Sequence, residues 1–589
     1  MDWGGAEVRV AAAAHFRRFF TGEKPGLKSA LLWLAPLTFL ALFYFYPLGS
    51  ILQASFARGA AGLGTPFVTA LASPTTRGAI WFTIWQATLS TALTLLLGLP
   101  GAYLLARYDF RGKSLIQALA GIPFVLPTLV VAAAFNALLG PRGWANLILM
   151  DAFDLAQPPI HFTNTLVAIL VAHVFYNTTI VLRMVGDFWS HLDPKLTQAA
   201  QMLGANRWQT LRHVTLPLLM PAIAAASLLV FIFDFTSFGV VLILGGPRYA
   251  TMEVEIYYQT ISLFNLPLAA ALSVIQLAFT LGMTVAYTRL TAGLSRPISL
   301  RPRRFTQRKL LTQGSRLFAT VMIVILLGLM TTPLLALAAR SVSHYEVQPG
   351  RPGRVFAGLT LDYYRELSIN RRETLFFVPP GTSVAISLGY AAATVSLALL
   401  LGLPAAWALA RDSHSRINRI LDPVLMLPLG TSAVTLGLGF IIALGRPPLD
   451  LRASPALIPL AHTLVAFPFV VRSLAPALRS IRPRLRQAAA VLGANPRQVL
   501  LNIDLPLAGR ALLVAATFAF TISLGEFGAT ALIARPEFPT VPLAIYRLIG
   551  LPGALNYGQA LALSTILMAI TAAGMLAIER FRIADVGEF

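Results

Sequence analysis

The sequence predicts an all-α polytopic membrane protein, with about 12 transmembrane helices arranged as two parallel six-helix repeats. Three observations predict this fold class. The 589 residues are 56% hydrophobic and only 12% charged, with a mean hydropathy of +0.71. Apolar stretches long enough to cross a bilayer recur along the chain, and the second half repeats motifs of the first. This composition excludes an ordinary soluble globular protein.

Twelve apolar stretches are candidate spans. In the first half they are 30–52, 80–106, 115–139, 163–185, 218–245 and 267–290, and in the second half 317–339, 384–410, 420–445, 456–474, 511–534 and 560–578. The first stretch is too long for the apolar region of a signal peptide, so we interpret it as a span that begins on the inner side.

The net charge of +22 fits this topology. Arg107, Arg111 and Lys113 follow the second stretch, and the connector 292–316 is strongly basic without an acidic residue. Under the positive-inside rule these segments are cytoplasmic, as are both termini. Loop 341–380 is less consistent, because five arginines fall on the predicted outer side. Membrane topology therefore explains the charge, and no nucleic-acid partner is expected.

The repeat extends over most of the chain. LLGLPGAYLLAR at 96–107 matches LLGLPAAWALAR at 400–411, an offset of 304 residues, whereas matches from Ala172 onward have an offset of 289. Fifteen extra residues therefore lie between 140 and 163. Because each half has six spans, an even number, the two copies share one orientation. The GLP triplets at 98–100 and 402–404 are interpreted as kinks that let neighbouring spans approach.

A polar segment between the fourth and fifth stretch of each half is also duplicated. QAAQMLGANRWQTLRHVTLP occupies 198–217 and QAAAVLGANPRQVLLNIDLP occupies 487–506. Gly204 and Gly493 suit a left-handed residue that ends one helix, and Asn206 and Asn495 suit the N-cap of the next. Pro496 suits the first helical position. The short second helix either lies on its own membrane domain or offers an apolar knob, Trp208 in the first copy, to a groove on a partner.

This segment resembles the EAA loop of the membrane subunits of binding-protein-dependent ABC importers. The matches in the first copy are Ala199, Ala200, Gly204, Leu216 and Pro217, and those in the second are Ala488, Ala489, Gly493, Ile503, Leu505 and Pro506. Gln198 and Gln487 stand where the family has Glu, and Val214 where it has Ile. Losing both carboxylates removes any salt bridge that the family makes there, although Gln can still form hydrogen bonds.

The resemblance implies the ABC type I importer permease fold and a division of the chain. The expected parts are a cytoplasmic tail 1–28, a six-span permease domain 29–291 with EAA-like loop 187–217, a basic cytoplasmic connector 292–316, and a second permease domain 317–589 with EAA-like loop 475–506. It assigns ATPase coupling to Gln198, Ala199, Ala200, Gly204, Asn206, Trp208 and Pro217, and to Gln487, Ala488, Ala489, Gly493, Asn495 and Pro506.

The implied partners are two copies of a cytoplasmic ABC ATPase subunit, an extracytoplasmic solute-binding protein and the bilayer. The chain itself has no ATP-binding motif, because Arg107 stands where a P-loop would need its first Gly before Gly112-Lys113-Ser114. We therefore expect no enzyme and no bound cofactor, with ATP and Mg on the partner subunits. The expected location is the plasma (inner) membrane of a prokaryote, as a multi-pass protein.

The fused pair of repeats resembles the ferric-iron and thiamine branch of the family. Phe238-Gly239 with Glu255-Ile256-Tyr257 in the first half, and Glu526-Phe527-Gly528 with Ala544-Ile545-Tyr546 in the second, are similar to that branch. Ferric iron is the first substrate expected from this resemblance and thiamine the second, followed by polyamine, sulfate or phosphonate.

Polar residues inside the spans are costly in a bilayer and are candidates for lining the path. They are Asp234 and Ser237 in the fifth predicted span, Glu526 in the eleventh, and His173, Asn177 and His462 in the fourth and tenth. The alternative for the carboxylates is a structural hydrogen bond or a position near the outer interface, and for the histidines it is a packing role. No His, Asp and Glu set has metal-ligand spacing, and the chain contains no Cys, so no metal site or disulfide is expected.

Two other classes remain open from the residues alone. A proton-coupled secondary transporter of the major facilitator type also has twelve spans in parallel halves, but it needs no duplicated cytosolic helix-turn-helix loop and favours more intramembrane charges. An intramembrane enzyme would need a nucleophile with a base or a metal cluster, and neither is evident.

Overall fold

The computed structural model describes residues 27–56, 58–59, 62–294, 307–347, 355–369, 378–411, 416–445, 447 and 449–581. Most of the predicted tail 1–28, residues 295–306 of the connector, and residues 348–354 and 370–377 of loop 341–380 lie outside this part of the chain.

Helices dominate the first half. They are α1 (Leu27–Leu40), α2 (Tyr46–Ser55), α3 (Thr65–Ala72), α4 (Pro74–Arg107), α5 (Lys113–Val125), α6 (Thr128–Leu139), α7 (Trp144–Phe153), α8 (Leu166–Ser190), α9 (Pro194–Met202), α10 (Arg207–Thr210), α11 (Leu216–Phe235), α12 (Gly239–Leu244), α13 (Met252–Ile261) and α14 (Leu266–Leu294). Helix α7 occupies the region of the fifteen extra residues.

The second half repeats this order. Its helices are α15 (Gln313–Ser341), α16 (Asp362–Glu366), α17 (Thr382–Arg411), α18 (Arg416–Met426), α19 (Ala433–Ala443), α20 (Leu457–Ser480), α21 (Pro483–Val491), α22 (Pro496–Val499), α23 (Leu505–Gly525), α24 (Gly528–Ile533), α25 (Val541–Ile549) and α26 (Ala554–Phe581). A 3₁₀ turn, Leu427–Gly430, separates α18 from α19.

In the described part of the chain, three two-stranded sheets join the ends of helices. They are β1 (Arg58–Gly59) with β2 (Gly62–Leu63), β3 (Tyr108–Asp109) with β4 (Arg308–Lys309), and β5 (Ser343–Val347) with β6 (Val355–Leu359). The β3–β4 pair is parallel, with Tyr108 opposite Arg308, and the other two pairs are antiparallel. The β3–β4 pairing places the basic connector beside the basic end of α4.

Ten helices in the described part of the chain are long and apolar enough to cross a membrane, and the count reaches twelve if two bent pairs each form one span. The bent pairs correct the straight spans predicted at 115–139 and 420–445. Lys113–Val125 meets Thr128–Phe153 at 109°, and Ile417–Gly430 meets Ala433–Ala443 at 95°. Leu126 before Pro127 is extended, as expected for a residue that precedes proline, and this conformation breaks the first pair.

Side-chain caps fix where several spans begin. The Ser73 hydroxyl accepts from the Thr76 amide at the start of α4, at 3.5 Å. The Thr165 hydroxyl accepts from Ala168 at 3.2 Å at the start of α8. Each cap satisfies one of the backbone N–H groups that a helix start leaves unpaired.

Among the described residues, a short π turn precedes a proline in three spans. The turns Ala41–Phe45, Leu211–Thr215 and Leu500–Asp504 each end two residues before Pro47, Pro217 or Pro506. Proline cannot donate the helical hydrogen bond and its ring collides with the carbonyl one turn back. The wider π turn relieves that collision, so each helix continues through its proline.

The first span of each half packs against the opposite half. The first span, Leu32–Ser55, contacts α17 and α19 of the second half, where the Tyr44 hydroxyl lies 2.8 Å from Thr431 Oγ1. Helix α15 contacts α4, α5 and α6 of the first half. The two halves therefore form one interlocked core.

The glycines of the GLP triplets lie where spans approach most closely. A Cβ on Gly98 would lie 2.7 Å from Val181 Cβ in α8, and one on Gly402 would lie 2.6 Å from Val470 Cγ1 in α20. Val181 and Val470 are themselves repeat-equivalent. This confirms that the triplets let neighbouring spans approach, while α4 and α17 continue through Pro100 and Pro404 as helices.

Candidate functional sites: the EAA-like loops and the seam between the halves

Both EAA-like loops have the predicted helix-turn-helix shape. Helix α9 ends at Met202 and α21 at Val491, and the turn that follows contains Gly204 with φ +91° or Gly493 with φ +85°. These φ values lie in the left-handed region, where glycine has no steric penalty. A Cβ on either glycine would have no heavy atom within 4 Å, so backbone conformation alone requires glycine there.

A reciprocal capping box starts the second helix of each loop. Asn206 Oδ1 accepts from the Gln209 amide at 2.8 Å, and the Asn206 amide donates to Gln209 Oε1 at 2.9 Å. Asn495 and Gln498 repeat these contacts at 2.9 and 2.8 Å. The predicted N-caps at Asn206 and Asn495 are therefore confirmed, with the second partner supplied by a glutamine.

The second helix of each loop runs directly into the next span. Arg207–Phe235 and Arg497–Gly525 each form one continuous membrane-length helix. The span predicted at 218–245 is therefore corrected: it starts in the loop and ends at Phe235, and the separate α12 follows. A displacement of the loop is transmitted to the far end of the span, about 40 Å away at 1.5 Å per residue.

The most exposed apolar side chains of the loops lie just before the glycines. Met202 and Leu203 are 89% and 90% exposed, and Val491 and Leu492 are 78% and 88% exposed. Trp208, the apolar knob expected from the sequence, is 68% exposed. Each loop thus presents an unburied apolar pair of the kind that an interaction surface uses.

The remaining predicted coupling residues surround these apolar pairs. Gln198, Ala199, Pro217, Gln487, Ala488 and Pro506 are exposed, and Ala200 and Ala489 are half-buried. Neither Gln198 nor Gln487 replaces the lost carboxylate with a charge.

An ion pair anchors the second loop beside Gln487. Arg486 Nε donates to Asp504 Oδ1 at 2.7 Å, and Trp407 Nε1 donates to Asp504 Oδ2 at 3.1 Å. The Asp504 side chain is 1% exposed and that of Arg486 is 18% exposed. The repeat-equivalent positions of Arg486 and Asp504 are Thr197 and Thr215. This ion pair therefore has no counterpart in the first loop.

In the first half, the candidate path residues converge in one buried cluster. Asn177 Nδ2 donates to Asp234 Oδ1 at 2.6 Å, and His173 Nδ1 lies 3.3 Å from the same oxygen. His173 Nε2 lies 2.8 Å from Ser237 Oγ. Gln86 Nε2 donates to the Asp234 carbonyl at 2.9 Å, which ties α4 to the end of α11.

The second half contains the corresponding cluster around His462. His462 Nδ1 lies 2.8 Å from Ser523 Oγ, and His462 Nε2 lies 3.2 Å from Glu526 Oε2. Glu526 also accepts from the Ala529 and Thr530 amides at 2.8 and 3.1 Å. Its carboxylate therefore caps α24 as well as contacting the histidine.

The two clusters exchange a carboxylate and a serine. With the offset of 289 residues, Asp234 corresponds to Ser523 and Ser237 corresponds to Glu526. In both halves Nδ1 of the histidine faces the first of these positions and Nε2 faces the second. The duplicated geometry is thus retained while the charge has moved by one helical turn.

These clusters hold the break between a span and a short helix. Ser237 and Glu526 directly precede Phe238 and Phe527, which in turn precede α12 and α24. Asp234 and Glu526 are buried in hydrogen-bonded contacts. Their predicted role in lining the path stays a prediction.

Phe238 and Phe527 meet at the seam between the two halves. Their rings stack with centroids 5.4 Å apart and an interplanar angle of 20°. Each ring also packs against a tyrosine of its own half: Tyr257 lies 5.3 Å from Phe238, and Tyr546 lies 5.5 Å from Phe527. The Tyr257 and Tyr546 side chains lie within electrostatic reach of each other. We call these four residues the seam rings.

The seam rings form two repeat-equivalent pairs. Both pairs obey the offset of 289 residues, and both make their contact across the seam. A contact between equivalent residues of two parallel repeats lies on the axis that relates the repeats. The seam rings therefore lie where a path between the halves would run, at the end of the spans opposite the EAA-like loops.

A further polar contact crosses the seam beside these rings. Glu253 in α13 is fully buried and accepts from Ser432 Oγ of the second half at 2.7 Å, and it also accepts from Gln276. No metal centre accompanies it: among the described residues, no group of three or more His, Cys, Asp or Glu is placed to hold a metal ion.

Comparison with known proteins identifies the family. The family described as the binding-protein-dependent transport system inner membrane component matches residues 95–296 and 398–583, once in each half. The chain belongs to this permease family. The permease is thus a multi-pass membrane protein in which the family unit occurs twice, as the repeat predicted.

Named relatives of the permease fall into two groups by length. The thiamine transport system permease proteins ThiP of Brucella abortus and Escherichia coli are 31% and 27% identical over 509 and 476 residues. The alignments cover 86% of both chains for Brucella, and 80% of this chain and 83% of the relative for Escherichia. The putative 2-aminoethylphosphonate transport system permease protein PhnU of Salmonella typhimurium is 31% identical over 275 residues, which is 46% of this chain and 96% of the relative.

Sequence reasoning missed the seam rings and Glu253 as site residues of the permease. Phe238, Phe527, Tyr257 and Tyr546 were visible only as matches between the halves. The signal that could have found them is their repeat equivalence, because identical residues in parallel repeats can meet on the axis.

Proposed function

We propose that this chain is the membrane-spanning subunit of an ATP-driven importer. It forms the path for a solute that an extracytoplasmic binding protein delivers, and two copies of a cytoplasmic ABC ATPase subunit drive it. The observation on which this depends is the duplicated EAA-like loop, which exposes an apolar pair in each half and continues as a membrane-length helix. Two equivalent loops provide two equivalent docking sites, and Mg-bound ATP belongs to the docked subunits.

The continuity of each loop with a span suggests how ATPase closure moves the path. Closure of the two ATPase subunits draws the loops together, and the helices Arg207–Phe235 and Arg497–Gly525 transmit this displacement to Phe238 and Phe527 at their far ends. Rigid helices transmit rigid-body displacements of this kind in rocking transporters.

The proposed orientation places the EAA-like loops, both termini and the connector in the cytoplasm of a prokaryote, with the protein in the inner membrane. The β3–β4 pair supports this orientation, because it brings Arg308 and Lys309 of the connector beside Arg107. A cluster of basic residues at one face agrees with the positive-inside rule.

The binding protein is proposed to dock on the outer loops 140–161, 246–265, 341–380 and 535–558. In the last of these, the Arg535 guanidinium donates to the Ala453 carbonyl at 2.7 Å and pairs with Glu537, which joins two outer loops. The pKa of Glu537 is lowered by a hydrogen bond from its own backbone N–H and by Arg535, so this surface carries both charges at neutral pH.

Thiamine is the proposed substrate, in place of the ferric iron ranked first from the sequence. The Brucella and Escherichia relatives described above, which match both halves together, are named for thiamine transport, and the alignment with the Brucella protein covers 86% of both chains. 2-Aminoethylphosphonate is a second candidate, because a half-length relative is named for it.

The test is reconstitution of the full complex. The permease, its ATPase subunits and the binding protein are placed in proteoliposomes, and uptake of labelled thiamine is measured with and without ATP. We expect ATP-dependent thiamine uptake and no uptake of 2-aminoethylphosphonate or ferric iron. Uptake by the permease alone, driven by a proton gradient, would instead identify a secondary transporter.

A further inference from the structure

We propose that the seam rings are the point in the path that recognises the solute: a flat aromatic cation enters between Phe238 and Phe527, and a ring–cation contact replaces the ring–ring contact. This inference rests on the proposed function, because it takes its ligand class from thiamine. The geometry of the proposed site comes from the contacts among the seam rings.

The seam rings lie on the axis between the two halves. Phe238 and Phe527 are both buried and stack across the axis, and Tyr257 and Tyr546 pack against them. A solute that passes between the halves along this axis must separate both pairs. The residues that it displaces are the residues that it contacts.

The seam rings can offer aromatic faces to a solute. Phe238 and Phe527, whose ring centroids are 5.4 Å apart, can separate to place one aromatic face on each side of an inserted ring. Aromatic faces attract cations and stack on flat rings, and both interactions strengthen when water is excluded. Thiamine combines a permanently cationic thiazolium ring with an aminopyrimidine ring, so it can use both.

Charged groups also lie near the seam rings. Helix α13, which contains Tyr257, also contains the buried carboxyl groups of Glu253 and Glu255. Arg547, next to Tyr546, is within electrostatic reach of Tyr257 and is the opposing charge. Glu255, whose Oε1 accepts from Gln259 at 2.8 Å, can offset this guanidinium. Charge near the seam rings therefore does not exclude a cation.

The backbone that carries Phe238 and Phe527 is anchored by polar contacts. The residue before each phenylalanine contacts a buried histidine: Ser237 with His173, and Glu526 with His462. These contacts fix the backbone at the span break while leaving the rings as the parts that can move. The polar clusters are therefore positioning residues for the seam rings.

The first experiment replaces the ring faces but keeps apolar bulk. Phe238→Leu/Phe527→Leu is reconstituted with the ATPase subunits and saturating loaded binding protein. We expect thiamine transported per ATP hydrolysed to fall about tenfold, the loss of a cation–aromatic contact in a desolvated site. ATP hydrolysis stimulated by the binding protein should stay within about twofold of the native rate, since the EAA-like loops are untouched.

The matched control is a second phenylalanine pair of the same chemistry. Phe235 and Phe279 stack at 5.6 Å and 26°, close to the seam geometry, but both belong to the first half. Phe235→Leu/Phe279→Leu should leave transport per ATP within about twofold. Equal losses in both pairs would indicate a packing effect and overturn the proposal.

Single replacements show whether a loss of transport in the double variant reflects misfolding. Phe238→Leu and Phe527→Leu each leave one ring, and each should lower transport per ATP by about threefold, half of the tenfold effect on a logarithmic scale. Native thiamine transport in both single variants and the double variant would overturn the ring site while the proposed function stands. If the native complex transports no thiamine, both fall.

Discussion

Replacing Gly204 and Gly493 by valine should uncouple ATP hydrolysis from transport. Both glycines have φ between +85° and +91° and have no neighbour within 4 Å of an added Cβ. The cost is therefore backbone strain alone, about 1–3 kcal/mol per loop for a residue forced into the left-handed region. The loop can relieve this strain by moving the substituted residue out of the left-handed region, which destroys the native turn.

The strain translates into a population shift. A cost of about 1–3 kcal/mol lowers the occupancy of the native turn by roughly 5- to 150-fold relative to competing conformations. We expect Gly204→Val/Gly493→Val to lower ATP-dependent thiamine uptake in proteoliposomes at least tenfold while membrane insertion stays native. The ATPase subunits retain their own hydrolysis, because their nucleotide sites are on another chain.

Asparagine provides the matched control. It also adds a Cβ and a polar side chain, but it adopts the left-handed conformation at lower cost than a β-branched residue. Gly204→Asn/Gly493→Asn should keep uptake within about threefold of native. Native uptake in the valine variant would refute the coupling role of these turns, and equal losses in both variants would point to contact with the added Cβ instead.

Three further replacements test the fold around these sites. Asp504→Ala removes the carboxylate that pairs with Arg486 and should lower the melting temperature of the detergent-solubilised complex. For a chain of this size we expect a shift of at most about 2–4 °C for each kcal/mol of stability lost. Thr215→Ala at the equivalent position should change the melting temperature little. Gly402→Ala should lower folded yield, because its Cβ would lie 2.6 Å from Val470, and Val470→Ala should restore it. Glu526→Ala removes the cap of α24 and a partner of His462, and it should lower the free energy of unfolding by about 1–3 kcal/mol. The measurement is the melting temperature, which should fall; an unchanged melting curve would contradict this role.

Local patterns predicted the spans and the EAA-like loops. Hydropathy depends on composition over one window, and the caps at Asn206 and Asn495 depend on residues three positions apart, so both are readable along the chain. A bend within a span cannot be read from the sequence in this way. The bends at 109° and 95° follow from extended residues between two helices, which a hydropathy window averages away.

The seam could not be predicted in the same way. The contact between Phe238 and Phe527 joins residues 289 positions apart and depends on how the two halves dock. The polar residues His173, Asp234 and Ser237 were identified individually because polar and ionisable side chains are rare in a span. Their convergence required the packing of α8 against α11, which no local pattern encodes.

The contact between the first span and the second half has a consequence for how the chain is made. Thr431, the partner of Tyr44, is synthesised 387 residues later, so Leu32–Ser55 is made long before its neighbours in the second half. Until the second half is made, that helix lacks its contacts with it. Because both halves belong to one polypeptide, these contacts form within one chain and not with a separately translated subunit.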